Sequence, residues 1–202
     1  MNYEYQPTCQ IPAAALDAIY TEAFGPNLND GTFVEIGAHD GLFCSNTWGL
    51  MKRGWQSHYA EPEMRLCTQL RDNLRGSNVH ISYCAVGSAN ATVTLGMGDW
   101  GATGDPAWMT KPEKFEVQQW TLDALLERHA LTSGFELLVI DVEGMEADVL
   151  AGFDCARWLP RVVIIERPPF LNCFRRLNYR TTYADNINTI YLRDNHERTR
   201  TH

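Results

Sequence analysis

The sequence predicts an α/β domain built on a mostly parallel sheet with helices on both faces. Three observations carry that reading. Runs of β-prone residues alternate with helix-like stretches between residues 31 and 166. Two of the runs, FELLVID (135–141) and RVVIIE (161–166), are rich in consecutive apolar residues, as strands covered on both faces are. Glycines and acids gather where the runs end, at Gly37–Gly41, Glu61, Ala85–Gly87, Asp141–Glu143 and Glu166, the edge at which such sheets bind ligands.

Taken in order, residues 12–24 (PAAALDAIYTEAF) predict a helix that opens on Pro12 and stops at Gly25-Pro26. Gly31 to Ile36 is a strand, and Gly41 to Arg53 a helix closed by Gly54. QSHYAE (56–61) is the second strand, Glu63 to Arg75 a helix ended by Gly76, and VHISYCAVG (79–87) the third strand. ATVTLGM (91–97) is a short extended piece. Residues 98–114 hold glycines and prolines without a period, together with Trp100, Trp108 and Met109, and predict a long loop of the kind that covers sites. TLDALLERHAL (121–131) is an amphipathic helix, 135–141 a fourth strand, Glu143 to Phe153 a helix and 161–166 a fifth strand. YRTTYAD and NTIYLRD read as a closing hairpin around Asn186.

A chain of 202 residues, 45% hydrophobic and 21% charged, reads as an ordinary soluble domain. It divides into a helical extension, 1–28, and a main domain, 29–202, with the loop at 98–114 as a lid. No apolar run is long enough to span a membrane, and no positive charge precedes a signal-like apolar patch at the start. The net charge of −8 argues against a nucleic-acid partner. The arginines of residues 161–202 are a solvated face or an anion site. Six cysteines without a C-x-x-C pair are expected to be free thiols in a reducing cytoplasm, which makes the expected location cytoplasmic.

The stretch EIGAHDG (35–41) lets the backbone approach a ligand before turning into a helix start, where free N–H groups favour an anion. Glu61, ending the next strand, is placed to accept hydrogen bonds from vicinal ribose hydroxyls. The pattern therefore asks for a nucleoside with an anionic end. A dinucleotide site wants G-x-G-x-x-G, whereas the spacing here is Gly37-x-x-x-Gly41. S-adenosylmethionine needs less room at the turn, and its ammonium and sulfonium suit the nearby acids Glu35, Asp40 and Asp141.

These residues, and the segments FVEIGAHDGLFCSNT, GWQSHYAEPEMRLCTQLRDN, CAVG, TLDALL and LLVIDVEGMEADVLAGF…PRVVIIE, resemble the FkbM family of S-adenosylmethionine-dependent methyltransferases over about residues 31–193. The resemblance is most specific in SNT (45–47) and IDVEGMEADVL (140–150). It implies a class I methyltransferase fold, a Rossmann-like three-layer sandwich whose seven-stranded sheet ends in an antiparallel hairpin. It also implies methyl transfer to a hydroxyl of a small molecule, such as a sugar or secondary metabolite, with S-adenosylhomocysteine as product. By the same resemblance, Glu35, Gly37, Ala38 and Gly41 match the methionine-binding loop and Glu61 the ribose carboxylate. Pro62, Ala85 and Val86 flank the adenine, and Ser45 and Asn46 are a polar pair near the cofactor carboxylate. Asp141 and Glu143 form the acidic mouth, and His39-Asp40 replaces a smaller or neutral pair.

A carboxylate inside a buried strand, as at Glu35, needs partners, and a ligand or a structural ion pair would supply them. The candidates for the base that takes the acceptor proton are Asp141, Glu143 and His39, although His39 also suits a turn and Glu143 a helix start. Glu166 precedes Arg167-Pro168-Pro169 where catechol-type relatives carry an Asp-Asn metal pair, so no metal is required by the sequence, while a carboxylate cage of Asp141, Glu143 and Glu166 stays open. Two other functions remain open at this level, a nicotinamide-dependent oxidoreductase and a non-catalytic nucleoside-binding module.

Overall fold

The computed structural model describes residues 11–28, 30–99, 101–169 and 173–194. Its central sheet has seven strands: β1 (Thr32–Ile36), β2 (Gln56–Glu61), β3 (Val79–Tyr83), β8 (Leu137–Ile140), β9 (Val162–Glu166), β10 (Tyr179–Ala184) and β11 (Asn188–Arg193). They lie in the order β10-β11-β9-β8-β1-β2-β3, and β11 alone runs opposite to the other six. The expected parallel sheet with a closing hairpin is thus present. Asp185 makes the hairpin turn, its carboxylate accepting the N–H groups of Ile187 and Asn188 at 2.8 and 2.6 Å.

Period-two alternation sorts the strand residues between two cores. Val34, Ile36, Leu138, Ile140, Val163 and Ile165 face the helices α4 (Leu122–Arg128), α5 (Glu146–Ala151) and α6 (Cys155–Trp158). Phe33, Leu137, Val139, Val162 and Ile164 face α1 (Ala13–Phe24) and α3 (Met64–Asn73). Each of these side chains is essentially fully buried, a contribution of about 1.5–3 kcal/mol apiece. α1 supplies Leu16, Ile19 and Tyr20 to the second core, and residues 1–10 of the expected extension lie outside the described residues.

Three elements differ from expectation. The helix expected over Gly41–Arg53 is reduced to α2 (Trp48–Met51). Asp40 accepts the Leu42 and Phe43 amides, Cys44 sits at φ +52°, and the Ser45 hydroxyl accepts the Thr47 and Trp48 amides. These local bonds compete with helix hydrogen bonds and hold 40–47 as turns. The strand expected over 79–87 breaks at Cys84. Its second part, β4 (Ala85–Val86), leaves the central sheet for a four-stranded sheet, β4-β7-β5-β6, with β5 (Ala91–Met97), β6 (Ala102–Thr103) and β7 (Lys111–Trp120). The expected loop over 98–114 is therefore partly strand. Its Gly98 N–H bonds the Gly101 carbonyl, its Thr110 N–H bonds the Met97 carbonyl, and a register break opposite Gly96/Met97 accommodates Pro112.

Local caps and backbone turns set the helix starts. α4 is capped by the Thr121 hydroxyl and α6 by the Asp154 carboxylate. α5 begins at Glu146 because Glu143 and Gly144 take positive φ, +51° and +95°. The cysteines are not all free thiols, as the sequence reading expected. Cys155 at the start of α6 is disulfide-bonded to Cys173, in the 3-10 turn before β10, while Cys67 and Cys84 are buried free thiols.

On the β2–β3 surface, His58 is 3% exposed and neither ring nitrogen has a hydrogen-bond partner. It stacks on His80 at 4.7 Å and meets the edge of His129 at 5.0 Å, and His129 in turn bonds Ser82. Desolvation, followed by the nearby His129 and His80, lowers its pKa to about 4. A histidine with a lowered folded pKa contributes its stability above its unfolded value near 6.5 and loses it as pH falls toward 4. Between pH 7 and pH 5 the wild type should therefore lose about 2 kcal/mol more stability than His58→Leu. Denaturant titrations at the two pH values measure the difference, and equal losses would disprove the assignment.

Candidate functional site

A cleft opens over the carboxyl ends of β1, β2 and β8, the edge at which ligands of such sheets bind. The second sheet closes one side of it through Leu95, Thr103 and Gln119. Of the residues singled out from the sequence, Glu35, Gly37, Ala38, His39, Glu61, Pro62, Ala85, Val86, Asp141 and Glu143 line this cleft.

The floor is the turn after β1. Gly37 has φ +82°, and a Cβ there would lie 1.6 Å from the Asp141 carbonyl oxygen. Gly37 and Ala38 both donate to the Ala60 carbonyl, and Asp141 N–H donates to the Ile36 carbonyl, so the ends of the three central strands are tied together. Only glycine permits that approach.

Two buried carboxylates flank the turn. Glu35, on the Phe33 side of β1, accepts the Thr47 hydroxyl at 2.7 Å, and Thr47 lies 3.3 Å from the Ser45 hydroxyl. Burial raises the Glu35 pKa to about 7 despite the Thr47 bond. Glu61 accepts the His39 N–H at 2.9 Å on one oxygen and the Glu63 N–H at 2.8 Å on the other. Its pKa also rises to about 7, because desolvation outweighs those two bonds. Each Glu61 oxygen keeps a lone pair for another donor.

The mouth is acidic. Asp141 directly follows β8, Glu143 occupies the turn, and Glu166 ends β9. One oxygen from each lies within 4.8 Å of the others. Burial, contact with Glu166 and the charges of Glu143 and Glu146 hold the Asp141 carboxyl well above the usual carboxylate range. Glu143 is raised to about 7 by desolvation and by Glu166, against the opposing charge of Arg167. Glu146 pins the turn by accepting the Val142 and Gly144 amides, both at 3.3 Å. Thr103 donates to the Glu143 carbonyl at 2.8 Å, and the Arg167 guanidinium lies 4.5 Å over the Trp108 ring. Residues 101–110 are thereby anchored beside the acidic mouth.

Four sequence candidates stand off the cleft wall. Asp40 caps the following turn. Partial burial pushes its carboxyl up, but the Phe43 and Leu42 amides and His39 outweigh this and hold it low. Gly41 packs against α3, where a Cβ would meet Leu70 at 2.4 Å. Ser45 reaches the site only through Thr47, and the Asn46 carbonyl accepts the Tyr20 hydroxyl. The sequence reading missed Thr47 and the walls from the second sheet, Leu95, Thr103 and Gln119. The alternation FEVQQW (115–120) was the available signal for the last of these.

The residues fit a cofactor with a ribose and a cationic centre. The glycine turn admits it, Glu61 has free acceptor capacity, and Glu35 and Asp141 are carboxyls that a positive charge would return to their ionised state. The family model described as "Methyltransferase FkbM domain" matches residues 35–194. Among solved structures, a proposed methyltransferase of Escherichia coli, yhhF, is 11% identical with a TM-score of 0.50, over 96% of this chain and 98% of that one. A hypothetical protein of Thermus thermophilus is 14% identical with a TM-score of 0.52, over 96% and 93%. At these identities the likeness is one of fold. No curated protein matches the chain.

Proposed function

The chain belongs to the FkbM methyltransferase domain family, and from that premise we propose that it transfers the methyl group of S-adenosylmethionine to a hydroxyl of a small molecule, a carbohydrate or secondary metabolite. The observation that carries the reading is Glu61, fixed by two backbone amides with acceptor capacity facing the cleft beside the Gly37 turn. Glu61 would hold the ribose. Gly37 and Ala38 would bound the methionine end with Glu35 beneath it, and Pro62, Ala85 and Val86 would flank the adenine. The cofactor supplies an electrophilic methyl on a sulfonium. Asp141 and Glu143 orient the acceptor at the mouth and receive its proton. A carboxyl with a raised pKa is a better base near neutral pH than an ordinary one. His39 lines the same cleft, with its ring beside Asp40 at 3.4 Å. The loop 98–114, anchored through Thr103 and Trp108, would act as the lid. An oxidoreductase reading is not favoured, because the turn lacks the middle glycine of a dinucleotide site and the family is one of methyltransferases.

Calorimetry with S-adenosylhomocysteine, followed by mass spectrometry of reactions with a panel of hydroxylated sugars, tests the proposal. Absence of binding would reject the cofactor, and binding without methylation of any hydroxyl would reject the acceptor class. Asp141→Asn should slow turnover about 10²–10⁴-fold while changing cofactor affinity little. Full activity of that variant would place the base elsewhere. Among the described residues, no helix is long and apolar enough to cross a membrane.

A further inference from the structure

We propose that Asp141, Glu143 and Glu166 bind a hard divalent cation, of the magnesium, manganese or calcium class, at the mouth of the cleft. The inference rests on the reading above for the cation's place beside the acceptor, but not for its binding. Each residue offers an oxygen, and the three lie within 4.8 Å of one another. They come from rigid positions: the end of β8, a turn pinned by Glu146 and Thr103, and the end of the adjacent β9. The second observation is Glu166 itself, 3% exposed. One of its oxygens is paired with Arg167 at 2.5 Å, while Oε2 is buried with no N–H or hydroxyl donor facing it, and the neighbouring group in contact with this carboxylate is the Asp141 carboxyl, itself an acid. A buried carboxylate oxygen without a donor is costly unless a proton or a cation meets it.

Among the described residues, Arg167 is the one cation paired with these three acids, and its guanidinium is turned to Trp108. A divalent ion would balance the remaining two charges. The donor set is all carboxylate, with neither imidazole nor thiolate, which selects oxygen-preferring ions over zinc or copper. Three protein ligands leave coordination positions for water or for an acceptor oxygen. An acceptor carrying two neighbouring oxygens would fit such a site better than an isolated alcohol.

The test uses the full chain after chelator treatment, with neither cofactor nor acceptor. Manganese binding is followed by electron paramagnetic resonance of the free ion, and S-adenosylhomocysteine binding is measured separately by calorimetry. The wild type should take up one ion with a Kd of about 10⁻⁴–10⁻³ M. Glu166→Gln and, as a more exposed and less disruptive change, Glu143→Gln should each weaken uptake at least about tenfold. Glu61→Ala should leave uptake unchanged. No uptake at about 10 mM manganese by the wild type, or equal uptake by folded Glu143→Gln and Glu166→Gln, would overturn the proposal. A metal-free chain that still binds S-adenosylhomocysteine would keep the cofactor reading while the cation failed, and the reverse pattern would separate them the other way.

Discussion

Gly37→Ala should destabilise the protein by about 3–5 kcal/mol and abolish measurable binding of S-adenosylhomocysteine. Two effects add. At φ +82° a residue with a side chain carries about 1–3 kcal/mol of backbone strain. Its Cβ would also sit 1.6 Å from the Asp141 carbonyl oxygen, a backbone atom that cannot rotate away. Relief requires pulling the end of β8 from β1, which strains the Asp141-to-Ile36 and Gly37-to-Ala60 hydrogen bonds and reshapes the cleft floor. Gly76 is the control. Its φ is nearly the same, +85°, but nothing lies within 4 Å of its Cβ position. Gly76→Ala should therefore show the strain alone, about 1 kcal/mol or somewhat more. Denaturant melts of both variants separate the terms. Equal shifts would mean that the contact with Asp141 is not what requires glycine at position 37.

The central sheet was legible because its chemistry is local and periodic. VVIIE and LLVI are too apolar for anything but buried strands, and TFVEI alternates between the two cores as its residue types demand. The glycine turn and Glu61 were legible for the same reason, since a strand end followed by glycine or by an acid marks a ligand edge. What escaped was set by distant partners. β7 opens with Lys111-Pro112-Glu113-Lys114, a charged stretch that becomes strand because β5 lies beside it. The 41–47 region has the apolar spacing of a helix, yet Asp40 and Ser45 satisfy its amides first. Asp40 and Gly41 carry the right residue types for a cofactor loop, but one caps a turn and the other makes room for Leu70. The Cys155–Cys173 pairing could not be read from cysteine spacing, because it depends on how the chain from α6 to β10 folds back.

Glu61→Ala should weaken S-adenosylhomocysteine binding about 100-fold or more while leaving the stability of the unliganded protein at pH 8 nearly unchanged. Each hydrogen bond from a ribose hydroxyl to a charged acceptor contributes about 1.5–3 kcal/mol, and two would be lost. The small effect on stability comes from opposing terms. Removing Glu61 leaves the His39 and Glu63 amides without their acceptor, at about 1–3 kcal/mol each. It also removes a buried carboxylate whose pKa rises from 4.5 to about 7, a penalty of about 3 kcal/mol once ionised. An acid with a raised folded pKa favours the fold most below its unfolded value, and that advantage is lost as pH rises through 7. In the wild type, a ligand that hydrogen-bonds the ionised carboxylate should lower this pKa, so binding near pH 6.5 should release protons. Calorimetry in buffers of different ionisation enthalpy reads that release directly. If Glu61→Ala binds S-adenosylhomocysteine as tightly as the wild type, or if the proton release persists undiminished in it, the ribose is not held there.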